Sequence, residues 1–206
     1  MTIDQQSFLL SDSAMQSISY STYENFKPQL TLTATELQQW KQRVIAFQVK
    51  LSAAPSAQQG SLFDLSREDE TDPASIDPFS RRRQNTEFWR WQFDDVGAAA
   101  MYFVIDYAAI AGGGKLLLYV GETVKSNQRW KGEHDCKRYL ANYRQAHYDH
   151  GLDSELGIAF WPQAPVERQA RQKLEAALIY RWRSPFNKEN WRFWNTPFVS
   201  GKPAGN

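Results

Sequence analysis

Two short apolar runs around a glycine-rich turn restrict this chain more than any other feature. "AAAMYFVIDYAAI" holds a β-rich stretch from Met101 to Tyr107, and "KLLLYVG" holds a second that ends at Tyr119, Val120 and Gly121. Ala111-Gly112-Gly113-Gly114 lies between them. Short runs of aromatic and β-branched residues bounded by glycine read as strands, and a short connector closes them into an antiparallel hairpin. A lone hairpin is marginal in water and needs further strands or a helix to cover it. "LGIAFWP", Leu156 to Pro162, supplies a third strand that proline stops.

Helical spacing appears on both sides of the hairpin. In "ATELQQWKQRVIAFQVKL" the residues Trp40, Val44, Phe47 and Leu51 recur at helical intervals, predicting a helix over 34–51 capped by Thr33 or Thr35. The segment from Ser126 to His147 is polar and mostly helical, with Gly132 as a break. In "PVERQARQKLEAALIYRW", Pro165 stands where helices start, and Leu174, Leu178 and Trp182 form an apolar stripe. Ser52 to Asn85 is rich in Ser, Pro, Asp and Gln, lacks periodicity, and reads as a linker. The expected fold is α+β: a small three-stranded antiparallel sheet flanked by helices over 95–195. An N-terminal extension, 1–94, precedes it and a tail, 196–206, follows.

With 42% hydrophobic and 14% aromatic residues the chain can build a core, which excludes disorder throughout. No apolar run approaches the ~20 residues of a membrane-spanning helix. An acid stands near the N-terminus where a signal peptide carries cations, and the one cysteine, Cys136, leaves no internal disulfide. A cytoplasmic location, nucleoid-associated if the partner is DNA, is the expectation. The net charge of +1 hides an asymmetry: residues 1–80 hold ten acids and five bases, while residues 125–192 hold 13 bases and eight acids. A basic rear half can attract phosphate, although solvated helix faces give the same count.

The basic half begins with "YVGETVKSNQRWKGEHDC", Tyr119 to Cys136, where the second strand ends at Gly121 and runs into a cationic segment. From Ala100 to about Trp191 the sequence resembles the GIY-YIG nuclease superfamily. "AMY", ending at Tyr102, stands for the first motif and "YVG", from Tyr119 to Gly121, for the second. Arg129 follows the second tyrosine by ten residues, Glu175 lies on a later predicted helix, and Asn187 comes twelve residues after it in "SPFN". The order of five elements carries the resemblance, over less than half of the chain.

The resemblance implies a metal-dependent DNA endonuclease or nickase, with a place in DNA repair or recombination. Phosphodiester hydrolysis needs an activated water, stabilised charge on the phosphate oxygens and help for the leaving oxygen. Mg²⁺ or Mn²⁺ on an oxygen ligand serves the last two needs, and Glu175 is the implied metal ligand. Arg129 offers a permanently charged fork to phosphate. Tyr102 would take the proton of the attacking water, Tyr119 would orient water or phosphate, and Asn187 would fix the site by hydrogen bonds. Gly121, Lys125, Lys131 and Arg138 are candidate substrate contacts. Trp130, Tyr139 and Tyr143, interleaved with those bases, can face nucleic acid or fill the core.

Taken singly, these residues have ordinary readings: strand aromatics, an Arg129–Glu133 helix pair, a solvated Glu175, a turn asparagine. The sequence also departs from the family. Ala100 replaces the usual glycine, and the loop between the tyrosines is long. Glu122 stands where repair-type members often carry lysine. His134 stands five positions after Arg129 rather than four, roughly 140° around a helix from it. Those departures sustain a second reading, a nucleic-acid-binding or clamp-associated adaptor without activity. Cys136, His147, Asp149 and His150 are ligand types without zinc-site spacing. In the linker, "QGSLF", with Gln59, Leu62 and Phe63, is similar to peptides that dock on the replication sliding clamp, where two apolar residues enter a groove.

Overall fold

The hairpin expected from sequence forms one side of a four-stranded antiparallel sheet. The computed structural model describes residues 32–53, 71–85, 99–110, 114–124 and 135–199. All of them belong to one unit, Leu32–Val199. Helix α1 (Ala34–Ala53) comes first, followed by strands β1 (Arg83–Asn85), β2 (Ala100–Ile110) and β3 (Gly114–Thr123). Helix α2 (Asp135–Asp149), strand β4 (Leu156–Trp161), helix α3 (Arg168–Trp182) and the single turn α4 (Trp191–Trp194) complete the order. The strand order is β1-β4-β2-β3. A three-stranded sheet was expected; β1 is the fourth strand, paired with β4 through Arg83↔Ala159 and Gln84↔Ile158. It lies in the segment read as linker because three polar residues paired through their backbones leave no apolar alternation to read.

Strand alternation sets the layers. Met101, Phe103 and Ile105 of β2 pack with Leu174, Leu178, Ile179 and Trp182 of α3 in one buried cluster. On the other face Tyr143 of α2 meets Trp40 of α1, Phe186 and Phe198 in edge-on contacts. The α3 stripe is the predicted one, and each such side chain contributes ~1.5–3 kcal/mol when buried. Pro165 does not open the helix: Glu167 caps it, accepting from the Gln169 and Ala170 N–H groups. Thr33 caps α1 in a reciprocal box, its hydroxyl accepting from the Glu36 N–H while the Glu36 carboxylate accepts from the Thr33 N–H.

β3 is an edge strand, and two side-chain amides satisfy its outer backbone. Gln48 of α1 donates to the Leu117 carbonyl and accepts from the Leu117 N–H, both at 3.0 Å. Asn187 does the same at Val120, at 2.9 and 3.0 Å. Each amide imitates one residue of a neighbouring strand, which blocks further pairing at that edge.

The face of β2 opposite α3 carries a buried polar cluster. Asp106 is fully buried and accepts from the Tyr143 hydroxyl at 2.6 Å and from the Ala108 and Glu155 N–H groups. The Lys41 ammonium lies 3.6 Å from it and 2.8 Å from His147 Nε2. His147 Nδ1 faces the Tyr143 carbonyl at 2.7 Å, so Nδ1 carries the proton and Nε2 accepts from Lys41. Burial, and then the Lys41 charge, push the His147 pKa down to about 4. Burial also lowers Lys41, against the pull of Asp106. His147 is thus fully engaged, and among the described residues no group of three metal-ligating side chains occurs.

Candidate active site

Cross-strand register brings the two motif tyrosines together. Tyr102 of β2 pairs with Gly121 of β3, and Val104 pairs with Tyr119, so the tyrosines are diagonal neighbours. Their rings stack with centroids 5.9 Å apart and planes 25° apart. Gly121 makes this possible, since a Cβ there would overlap the Tyr102 ring. The second strand does not end at Gly121 as expected. Gly121 is buried in mid-strand and pairing continues to Ala100↔Thr123. Its lack of a side chain serves the Tyr102 ring.

The carboxylate arrives from α3. Glu175 Oε1 accepts from the Glu122 N–H at 3.1 Å, which ties the helix to the end of β3. Glu175 is half-buried, beside buried Leu174. Burial raises the Tyr119 pKa, and Tyr102, Cys136 and Glu175 raise it further. Tyr119 therefore keeps its proton, and its side chain engages Tyr102. Tyr102 is fully buried. Asn187 holds Val120, the residue between Tyr119 and Gly121, and its Oδ1 also accepts from the Ser184 hydroxyl at 2.6 Å. It fixes the strand that carries the motif.

Arg171 has no counterpart in the sequence expectations. Its guanidinium, 4% exposed, pairs with Glu122 at 2.5 Å and donates to the Pro165 and Val166 carbonyls. Glu122, an acid where a base was awaited, is thereby neutralised. Arg171 lies one turn before Glu175, a spacing that suggests a pair with that acid, and nothing in the sequence points to Glu122.

Arg138 is half-buried with its guanidinium 5.3 Å from the Tyr139 ring centre. Tyr139 and Tyr143 do not face a ligand: both are buried, in edge-on contact with Phe186. Their helical spacing serves the core, and a residue four positions on shares the buried face. Lys125, Arg129, Trp130, Lys131 and His134, with Gln59, Leu62 and Phe63, lie outside the described residues.

The site thus gathers two stacked phenols, a half-exposed carboxylate and an amide clamp at one end of the β2–β3 hairpin. It can donate hydrogen bonds to an anion and offer oxygen to a hard cation. No known family, curated protein or solved structure matches the chain.

Proposed function

We propose that this chain is a metal-dependent phosphodiesterase of GIY-YIG type that cuts or nicks DNA. One observation carries the reading: Tyr102, Tyr119, Glu175 and Asn187, spread over 86 positions, meet around Val120–Glu122. A partly exposed carboxylate within electrostatic reach of Tyr119 fits Mg²⁺ or Mn²⁺, which take few protein ligands and keep water or substrate oxygens. Glu175 would hold the metal, and the metal would stabilise charge on the phosphate and the leaving oxygen.

The protein's own groups have separate tasks. The Glu122 N–H fixes one oxygen of Glu175, so the carboxylate is aimed before substrate arrives. Tyr119, held protonated beside Tyr102, would orient the water or the phosphate. Tyr102 would be the base of this scheme as a phenolate: its hydroxyl proton would leave to solvent first, and the bared oxygen would then take the proton of the attacking water. Arg129 would take the phosphate charge, with Lys125, Lys131 and His134 as neighbours in sequence. The complete burial of Tyr102 favours the second reading, a binding protein without catalysis. DNA would be the partner in the first reading, and nucleic acid, or the sliding clamp through Gln59–Phe63, in the second.

Cleavage of supercoiled, branched and single-stranded DNA with Mg²⁺ or Mn²⁺ separates the two. Wild type is expected to cut at least one substrate, and Tyr102→Phe to lose about 10²–10⁴-fold in rate. Absence of cutting on every substrate leaves the binding reading. Cutting that survives Glu175→Gln removes the proposed chemistry.

A further inference from the structure

Around α3 from Glu175, two aromatic rings stand in solvent with a guanidinium between them. Tyr180 is 70% exposed and Phe193 54% exposed. The Arg183 guanidinium lies 4.2 Å from the Tyr180 ring centre and 5.1 Å from that of Phe193. Arg183 caps α3 at φ 48°, the left-handed conformation that helix ends usually give to glycine. A residue with a Cβ is strained there, and strain retained at one position points to a task for that side chain. Here the backbone sets the cation between two exposed rings.

The surroundings are cationic. Residues 37–53 hold two exposed bases, Arg43 and Lys50, and no acid, and residues 176–199 hold four bases and one acid, Glu189. Phe47 of α1 meets Phe193 edge-on at 6.0 Å, and the exposed Arg43 and Lys50 share its helix face at i−4 and i+3. Exposed Arg192 adjoins Phe193, and exposed Lys173 lies two turns before Tyr180 on the same face of α3. Exposed aromatics among like charges suit a strand that brings π-faces and phosphates together. A protein partner would have to supply acids to match.

We infer that Tyr180, Arg183 and Phe193 form a stacking platform for unpaired nucleic-acid bases, with Arg43, Lys50, Lys173 and Arg192 taking the backbone phosphates. This deepens the phosphodiesterase reading and rests on it for the substrate class, naming a single-stranded feature of that substrate. Tyr180 lies ~7.5 Å along α3 from Glu175 and ~140° around it, so a strand on the platform wraps the outside of the helix.

The test is anisotropy of a fluorescein-labelled 20-mer oligothymidylate with the full chain in EDTA, where no metal-dependent cutting occurs. Wild type is expected to bind it more tightly than a duplex of equal length, with affinity falling steeply in salt. Tyr180→Ala weakens binding about fivefold or more, and Tyr180→Phe restores it. Arg183→Gly relieves the left-handed backbone, so it melts at or above the wild-type temperature yet binds more weakly. A purely structural role for Arg183 gives no such pair of results. Equal binding by wild type, Tyr180→Ala and Arg183→Gly overturns the platform, as does a preference for duplex or no binding at all, the outcomes expected of a protein-docking surface. Because binding is read without metal, failure to cut DNA leaves the platform standing, and failure to bind oligothymidylate leaves the cleavage assay to be judged alone.

Discussion

One strand carries a polar group at each end of the same face, and the two ends are built differently. Tyr102 and Asp106 are four residues apart on β2, about 13 Å along it. At the Asp106 end every polar partner is protein: Tyr143, Lys41 and two backbone N–H groups, with His147 closing the set. At the Tyr102 end the phenols stack over a glycine, and the carboxylate from α3 remains half-exposed. A sealed, satisfied cluster with a strongly shifted histidine has the look of chemistry and the connectivity of a fastener. It ties α1 and α2 to β2. Strong pKa perturbation alone is thus a poor guide to a site, and access to solvent separates the two ends.

The difference is broken or sharpened by asking which substitutions cost fold and which cost chemistry. The largest cost in stability is expected at Lys41. Lys41→Met leaves the Asp106 carboxylate buried without its cation, a loss of ~3–5 kcal/mol. Denaturant unfolding should show that loss, and Lys41→Met with Asp106→Asn should recover part of it, because neutral Asn still accepts from Ala108 and Glu155. A single substitution costing under ~1 kcal/mol would mean that the sealed end is not sealed.

Asn187→Ala comes next. It strips the Val120 N–H and the Ser184 hydroxyl of their acceptor and the Val120 carbonyl of its donor, all buried. About 2–3 kcal/mol should go, with a slower cleavage rate as β3 loosens beside Tyr119. Unchanged stability with lost cleavage would instead move Asn187 from clamp to direct participant.

These two residues show what the sequence disclosed. Asn187 was visible through its order after Glu175 and the proline, and its hydrogen-bonding part was anticipated. Lys41 was invisible, since a lysine between Trp40 and Gln42 reads as solvated until the fold brings Asp106 over it. The apolar stripes of α1 and α3 were legible because one-sided burial imposes a helical period. β1 was not, because an edge strand paired only by backbone writes nothing into its side chains. The end of β3 was misread for a related reason: the apolar run stops at Gly121, while backbone pairing goes on through half-buried Glu122 to Thr123. Arg171 went unseen because an arginine on a basic helix has no mark of its own until Glu122 meets it.

A smaller effect is expected with pH. His147 faces Lys41 from α1 and Asp106 from β2, with His150 nearby, and its pKa falls from 6.5 to about 4. The unfolded chain then binds the proton more readily than the folded one. Stability is complete above about pH 6.5 and is lost as the pH falls toward 4, by about 1–2 kcal/mol at pH 5. Melting curves at pH 7 and pH 5 should separate by that amount. His147→Gln, which can still accept from Lys41, should bring them together. If the gap persists, the histidine is not the group that titrates.

The smallest change in stability is expected where the change in activity is largest. Glu175→Gln keeps an acceptor for the Glu122 N–H and alters only a half-exposed charge, so unfolding should shift by less than ~1 kcal/mol. The proposed metal oxygen is lost, and DNA cleavage should disappear. That split, a fold untouched and a reaction gone, is the reverse of the one predicted for Lys41. A Glu175→Gln variant that unfolds as readily as Lys41→Met would show the carboxylate to be a second fastener, tying α3 to β3 as Asp106 ties α1 and α2 to β2.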